Sequence, residues 1–305
     1  NDSRYGANRQ PVTSAHLRDA LDIGAEQFAW QERRARSGQR DGSKIRAVAV
    51  GQAFHSAGSS GYDGLVRITP DGILHIHSGV GNLGTYSYAS TSRVAAEVLK
   101  YDWDNCEIAR GDSSLGLPWN LGQFGSNTSF IMTRTNYAAA MDTLSKLKEI
   151  AAMEFGGSAQ DYDISGESVF NRSNPSRRMS YARAAQRAIE LGGAYSGHTV
   201  PDDINPMTAR AVAGLVDTGL IGVARDNMGQ RGMVPALAVG FIEIELDVET
   251  GKVEILDYLG VADCGTVNHP QGLATQIKGG AVMGFGMSCT ERLIYDNVWG
   301  LPGSV

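Results

Sequence analysis

Cysteine is scarce in this chain of 305 residues. Its three cysteines, Cys106, Cys264 and Cys289, lie far apart in the sequence, and none belongs to a Cys-x-x-Cys pair. A disulfide framework is therefore not expected, and neither is an iron–sulfur centre whose ligands all come from this chain. The pattern predicts reduced thiols in a cytoplasmic protein, and no side chain is expected to bind a metal ion directly.

Long apolar runs and an excess of positive charge are also absent. The longest apolar stretches, such as 215–224 and 281–289, are too short and too interrupted by glycine to span a bilayer. The polar first residues contain no apolar secretory segment. Lysine plus arginine number 27 against 33 aspartate plus glutamate, so the formal net charge is −6 and gives no attraction to phosphate backbones. Neither a membrane span nor a nucleic-acid partner is expected.

Two segments of the sequence share one pattern. Alternating apolar residues at 65–77 flank Pro-Asp-Gly, and a similar alternation at 241–258 flanks a turn at Glu249–Lys252, so each segment predicts a β-hairpin. Each hairpin leads into a glycine-bearing loop and then into a helix of small residues, at 88–100 and at about 270–284. The pattern predicts an α+β fold with mixed sheets from two hairpin-loop-helix units packed with helices, not a doubly wound parallel sheet.

The remaining segments give a predicted division of the chain. A helix at 14–37, capped by Ser14, and a basic linker form an N-terminal part, 1–46. A binding region, 47–305, contains the two hairpin-loop-helix units, at 47–155 and 236–305. Within the first of these units we expect a long helix at 128–155. Between the two units we expect a variable insertion at 156–206, which has a peripheral part at 156–179 and a short helix at 181–191, and then an ambiguous stretch at 207–235.

The loop after the first hairpin carries a recognisable glycine pattern. Glycine makes up 38 of the 305 residues, and Gly79-Val-Gly-Asn-Leu-Gly84 matches G-x-G-x-x-G, which favours a nicotinamide-dependent dehydrogenase if a parallel β-α-β unit surrounds it. The preceding strand belongs to a hairpin and no parallel β-α-β run is expected, so this alternative is the weaker one. The loop is either a simple turn or a place where free amides at a helix start bind an anionic cofactor.

A second polar segment precedes the long helix. Gly125 is followed by Ser126, Asn127, Thr128 and Ser129, and such residues commonly cap a helix N-terminus. Four consecutive polar side chains exceed what one cap requires. The sequence alone leaves two interpretations open, a helix cap or a surface for a phosphate or pterin edge.

Several segments together resemble the molybdenum-binding subunits of the xanthine dehydrogenase/aldehyde oxidase family. The segment 81–87, GNLGTYS, is similar to the family's E-M-G-Q-G loop, and 124–130, FGSNTSF, to its G-S-x-x-T/S segment. The long segment 241–286 is similar to E-V-E-V-D-x-x-T-G-x-V followed by D-x-G-x-x-x-N-P and a glycine-rich helix. The resemblance covers about residues 14–300.

The resemblance implies a set of cofactor-binding residues. Thr85 stands where many members have a glutamine near the molybdenum, and its shorter side chain puts direct contact with the metal in doubt. Asp263, Gly265 and Asn268 match structural positions, and Cys264 is expected to be buried and inert. The residues implied to hold the pterin are Gly81, Asn82, Leu83, Gly84, Thr85, Tyr86, Gly125, Ser126, Asn127, Thr128, Ser129 and Gln276.

The resemblance also implies an activity and partners. The family hydroxylates a heterocycle or an aldehyde with water-derived oxygen, using molybdopterin with molybdenum, here expected in the cytosine dinucleotide form. The catalytic glutamate of the family is expected beyond Val305, in the remaining part of the molybdenum subunit. A [2Fe-2S] subunit and an FAD or other electron-transfer subunit complete the expected hetero-oligomer, and the chain alone is expected to be inactive. A cofactor-free scaffold subunit is the non-enzymatic alternative.

Overall fold

The computed structural model describes residues 4–5 and 9–303. Within these ranges, the chain forms strands and helices of very different lengths. In chain order they are β1 Arg4–Tyr5, β2 Gln10–Pro11, α1 Leu17–Gln27, α2 Trp30–Arg36, β3 Arg40–Asp41, β4 Lys44–Ala57, β5 Asp63–Ile68, β6 Leu74–His77, α3 Ser87–Thr91, α4 Arg93–Leu99, β7 Cys106–Ala109, α5 Thr128–Phe155, β8 Tyr162–Ser165, β9 Ser168–Asn171, β10 Arg178–Ser180, α6 Tyr181–Leu191, α7 Pro206–Ala213, β11 Leu220–Arg225, β12 Val234–Asp247, β13 Val253–Asp263 and α8 Pro270–Cys289.

The chain divides into two compact units, and the first is discontinuous in sequence. Unit 1 comprises residues 1–56 and 232–305, and unit 2 comprises 57–231. In the part of the chain that the structure describes, no helix combines the length and apolar character needed to cross a bilayer.

Unit 1 is built on a four-stranded sheet in the order β13-β12-β4-β3. The hairpin β12–β13 confirms the predicted second hairpin, because Asp247 accepts hydrogen bonds from the amides of Glu249 and Thr250 and so forms the predicted turn. Helix α1 packs on this sheet at Phe241. A Cβ at Gly24 would lie 2.2 Å from the Phe241 ring, so only glycine allows this close approach.

The N-terminal region differs from the single helix and basic linker expected from the sequence. Two helices, α1 and α2, are separated by Ala29, whose φ of 53° is left-handed. Ser14 caps neither helix, because its hydroxyl donates to the Asp263 carboxylate at 2.8 Å. Arg33 forms ion pairs of 2.8 Å with Glu243 and with Asp257. The basic segment is thus bound to acidic strands about 200 residues later, a pairing that a local reading of charge does not show.

The C-terminal part of unit 1 also differs from the prediction. Helix α8 begins at Pro270, with the His269 ring accepting from the Gly272 amide, and it continues to Cys289, five residues beyond the expected end. Cys264 is exposed, so the expectation of a buried thiol was wrong. All three cysteines are free, as the sequence predicted.

Unit 2 contains a mixed sheet in the order β11-β5-β6-β7. Strands β5 and β6 form the predicted first hairpin, with Leu65 opposite His77 and Ile68 opposite Leu74. Strand β6 pairs in parallel with β7, and α3 and α4 connect them where a single helix was expected. The expectation that no parallel β-α-β run follows the glycine pattern was therefore wrong, because a four-residue strand is too short to show alternation.

The long helix α5 has the predicted bounds and lies across the sheet of unit 2. Two glycines permit its close approach. A Cβ at Gly64 would lie 2.0 Å from the Thr135 carbonyl oxygen, and one at Gly222 would lie 1.8 Å from the Thr143 hydroxyl. The apolar face of α5, including the fully buried Leu147, packs into the main core of the unit.

The segment 156–179, which we expected to be peripheral, contributes to the core of unit 2. Strands β8, β9 and β10 form an antiparallel sheet, and α6 follows with the predicted bounds. Tyr162, Val169 and Tyr181 are completely or almost completely buried in the main core. Strands of three or four residues in a polar segment carry too few alternating positions to be recognised, which explains the wrong prediction. The ambiguous stretch that follows contains α7 and β11.

Candidate functional site

The glycine loop, residues 79–86, runs from the end of β6 to the start of α3. Its first glycine is required by packing, because a Cβ at Gly79 would lie 2.1 Å from the Pro118 carbonyl oxygen. Gly84 has a φ of 106° and Tyr86 a φ of 52°, so the chain turns twice through left-handed conformations. Residues 81–86 are all exposed, and a Cβ added at Gly81 or Gly84 would meet nothing within 4 Å. The loop therefore offers open space along its main chain.

Most amides of the glycine loop already have partners. The side-chain oxygen of Asn82 accepts from the Gly84 amide at 3.0 Å and from the Tyr86 amide at 3.1 Å. The Leu83 amide donates to Gln123 Oε1 at 2.5 Å. The expectation of a free amide at Gly84 is therefore wrong for this conformation, because a short asparagine side chain competes for neighbouring amides.

Side chains that the motif did not indicate also surround the glycine loop. The guanidinium of Arg110 lies 3.7 Å from the centre of the Tyr88 ring, and the Tyr86 and Tyr88 rings are 6.0 Å apart. This stack brings a positive charge next to the aromatic end of the loop. Leu83 and Tyr86 are 76% and 63% exposed, which leaves an apolar edge beside that charge. Arg110 lies outside the glycine pattern, so sequence reasoning had no signal for it.

The serine loop, residues 125–129, leads into α5 without capping it. Asn127 occupies the N-cap position but makes no side-chain cap hydrogen bond, and instead its oxygen accepts from the Ser59 hydroxyl at 3.3 Å. Ser126 has a left-handed φ of 54°. Within the described ranges, the hydroxyls of Ser126, Thr128 and Ser129 have no protein hydrogen-bond partner. The cap interpretation is thus wrong for the side chains.

The serine loop has donors suited to an oxyanion. The first amides of a 28-residue helix lack intrahelical partners and carry its positive dipole end, and the free hydroxyls of Ser126 and Ser129 stand exposed beside them. Neutral donors of this kind bind phosphate or the polar edge of a pterin ring. The donor set therefore fits the phosphate-bearing pterin that the sequence led us to expect.

Gln123 brings the two loops side by side. It precedes the serine loop by two positions, and its side chain contacts the Leu83 amide within the glycine loop and the hydroxyl of Ser87, the residue that follows the loop, 2.7 Å away. Both loops belong to unit 2. Gln276 lies on α8 of unit 1 and is exposed. Its predicted convergence with the two loops stays a prediction.

A buried histidine, His77, lies two residues before the glycine loop. His77 is 1% exposed, and its Nδ1 lies 2.8 Å from the Gly116 carbonyl oxygen, so that nitrogen donates. Among the described residues Nε2 has no partner. Burial lowers the pKa of His77 to about 4, with the nearby Arg67 as a further cause. His77 is therefore neutral and connects the base of the loop to segment 115–116.

Sequence comparison assigns the chain to a known family. The chain matches the molybdopterin cofactor-binding domain family over residues 24–301. Because this match covers most of the sequence, the chain belongs to that family. The family resemblance and the α+β fold expected from the sequence are confirmed.

Relatives with descriptive names support the same assignment. The chain is 25% identical over 288 residues to the aldehyde oxidoreductase molybdenum-binding subunit PaoC of Escherichia coli O157:H7, covering 92% of this chain and 34% of the relative. It is also 25% identical over 313 residues to the xanthine dehydrogenase molybdenum-binding subunit of the same strain, covering 97% and 38%. The chain thus spans about a third of the length of the curated relatives that it matches.

A solved structure shares the fold. Quinoline 2-oxidoreductase from Pseudomonas putida 86 superposes with a TM-score of 0.69 at 19% identity, over 96% of this chain and 36% of that one. Neither the nicotinamide-dependent dehydrogenase nor the cofactor-free scaffold is favoured by these relatives, which are named for molybdenum binding. The parallel β6–β7 pair next to the glycine pattern does not favour a nicotinamide-dependent dehydrogenase, because the rest of that sheet is antiparallel.

Proposed function

We propose that this chain holds molybdopterin in a molybdenum hydroxylase that oxidises a heterocycle or an aldehyde. The observation that carries the proposal is the pair of adjacent loops in unit 2. One is an exposed glycine loop with open space along its main chain, and the other is an uncapped start of a 28-residue helix with free hydroxyls. Gln123, two residues before the serine loop, connects the two loops through hydrogen bonds with Leu83 and Ser87. Membership of the molybdopterin cofactor-binding domain family supports this assignment.

The residues of the chain would bind and orient the cofactor. Bound molybdopterin would supply the oxidation–reduction chemistry of the reaction. The main chain from Gly81 to Tyr86 would lie along the pterin, with Thr85 too short to reach far beyond it. The amides and hydroxyls from Gly125 to Ser129 would donate to the phosphate or the pterin edge. Gln276 would hydrogen-bond the pterin, and region 47–305 would form the binding region.

The rest of the enzyme would come from other parts of the assembly. We propose the cytosine dinucleotide form of the cofactor, a [2Fe-2S] subunit and an FAD or other electron-transfer subunit, in a cytoplasmic hetero-oligomer. The catalytic base would belong to the remaining part of the molybdenum subunit. Support for this division comes from the names of the relatives, which describe molybdenum-binding subunits, and from the third of their length that this chain spans.

The serine loop gives the sharpest test of the proposed function. Replacing Ser126 and Ser129 together by alanine removes two exposed hydroxyls without opening the core. We expect about a tenfold loss of retained pterin, corresponding to two hydrogen bonds worth about 0.7 kcal/mol each. Pterin is measured by fluorescence after oxidative release from the purified protein, and molybdenum by elemental analysis.

A matched control separates binding from folding. Ser173→Ala removes another exposed serine hydroxyl of unit 2 that lies outside both loops, and it should leave the pterin content unchanged. Equal pterin content in the double variant and the control would contradict the role of the serine loop. Unaltered protein that carries no pterin, when produced in cells that make the cofactor, would contradict the proposed function as a whole.

A further inference from the structure

The segment before the serine loop is firmly anchored to the sheet of unit 2. The Trp119 amide donates to the Thr208 hydroxyl at 2.8 Å, and the Trp119 ring stacks on Tyr62 with centroids 4.8 Å apart. Asn120 donates to the Asp63 carbonyl oxygen at 2.7 Å and accepts from the Gly79 amide at 2.8 Å. Segment 118–120 is thus fixed both to β5 and to the first residue of the glycine loop.

Gln123 extends from this anchored segment to the far end of the glycine loop. Its Oε1 accepts from the Leu83 amide at 2.5 Å, and its Nε2 donates to the Ser87 hydroxyl at 2.7 Å. Gln123 is partly buried, whereas residues 81–86 are all exposed. The exposed part of the loop has few packing contacts of its own, so side-chain hydrogen bonds determine how well its conformation is defined.

We infer that Gln123 is a positioning residue that holds the glycine loop in the conformation that accepts the cofactor. This inference rests on the proposed function. Asn82 folds the loop locally, and Gln123 fixes that folded loop against the chain that continues into the serine loop. The position of one loop relative to the other is then already fixed before a ligand that contacts both of them binds. Without Gln123 the competent conformation is populated less, and the apparent affinity falls by the same fraction.

Hydrogen exchange of the cofactor-free protein tests the contact directly. Gln123→Leu keeps the side chain's approximate size and removes both hydrogen bonds, so exchange at the Leu83 amide should become about fivefold faster, which is about 1 kcal/mol. Gln123→Glu should retain slow exchange, because a carboxylate accepts from the Leu83 amide and from the Ser87 hydroxyl acting as donor. Gln230→Leu, at an exposed glutamine of the same unit, is the control and should leave exchange unchanged.

Retained pterin tests the consequence. Gln123→Leu should retain less pterin than the unaltered protein, and Gln230→Leu the same amount. Gln123→Glu should bind less pterin despite its ordered loop, since a negative charge faces an anionic ligand, and this loss should shrink at high salt. Ser87→Ala removes only one of the two contacts and should give an intermediate exchange rate, which keeps the test decisive if Gln123→Leu does not fold.

The two readouts separate this inference from the proposed function. Unchanged exchange at Leu83 in Gln123→Leu, or in Ser87→Ala if the former does not fold, overturns the positioning role. Faster exchange with unchanged pterin also overturns it, because the loop conformation then has no bearing on the cofactor. An unaltered protein without pterin refutes the proposed function, and with it the positioning of a cofactor, while the exchange data still decide whether the contact orders the loop.

Discussion

At the scale of residues, hydrogen bonds from the side chains of Asn82 and Gln123 hold the conformation of the glycine loop. The glycine pattern and the polar run at 125–129 were recognised because backbone freedom and helix-start donors are encoded locally. The roles of Gln123 and Arg110 depend on contacts with residues distant in the sequence, 40 residues away in the case of Gln123 and Leu83. Contacts of this kind cannot be predicted from the pattern of neighbouring residues in the sequence.

His77 gives a pH dependence of stability that can be predicted with its sign. Burial holds the pKa of His77 at about 4, below its ordinary 6.5, so the unfolded chain takes up a proton first as the pH falls. The contribution of neutral His77 to the free energy of unfolding is fully present above pH 6.5. It is lost as the pH falls from 6.5 to 4, which lowers the free energy of unfolding by about 3 kcal/mol. The free energy of unfolding from urea titrations at pH 7.5 and pH 4.5 should fall more in the unaltered protein than in His77→Gln.

This comparison isolates one group from the others that titrate. His75 and the carboxylates are common to both proteins, so their contribution cancels in the difference. The glutamine introduced by His77→Gln can still donate to a carbonyl oxygen near Gly116, which limits the loss of stability at neutral pH. An identical pH dependence in the two proteins would show that His77 is not buried as the structure has it.

At the scale of elements, length and repetition decided what could be predicted. Helix α5 and both hairpins carry many positions in register, and their bounds or turns were predicted correctly. Strands β7, β8, β9 and β10 have three or four residues each, and all escaped detection. Strand β4 was missed as well, because its first residues continue a basic run that is typical of a linker.

The ion pairs of Arg33 join α2 to the hairpin of unit 1. Arg33→Met should lower the free energy of unfolding by about 2 kcal/mol, because it leaves the Glu243 side chain, 11% exposed, without its cation. The exposed pair of Arg18 with Asp22 provides the control, and Arg18→Met should change stability by less than about 0.5 kcal/mol. Urea unfolding followed by circular dichroism measures both, and equal effects of the two substitutions would contradict the account of α2.

At the scale of the whole molecule, the sequence identified the family but not the division into units. Unit 1 combines residues 1–56 with 232–305, and this grouping depends on strand pairing between β12 and β4. A reading along the chain does not indicate which strands pair across so many intervening residues. The family resemblance was available because the segment 241–286 preserves a long ordered pattern.

The central claim is our proposal that the glycine loop and the serine loop hold one cofactor, with Gln276 as a further predicted contact. Hydrogen exchange compared between cofactor-loaded and cofactor-free protein tests it most directly. We expect slower exchange on loading in the peptides that contain residues 81–86, 125–129 and 276, and little change in the β8–β10 sheet. Protection that is absent from all three segments, or that falls mainly elsewhere in the described chain, would contradict the account.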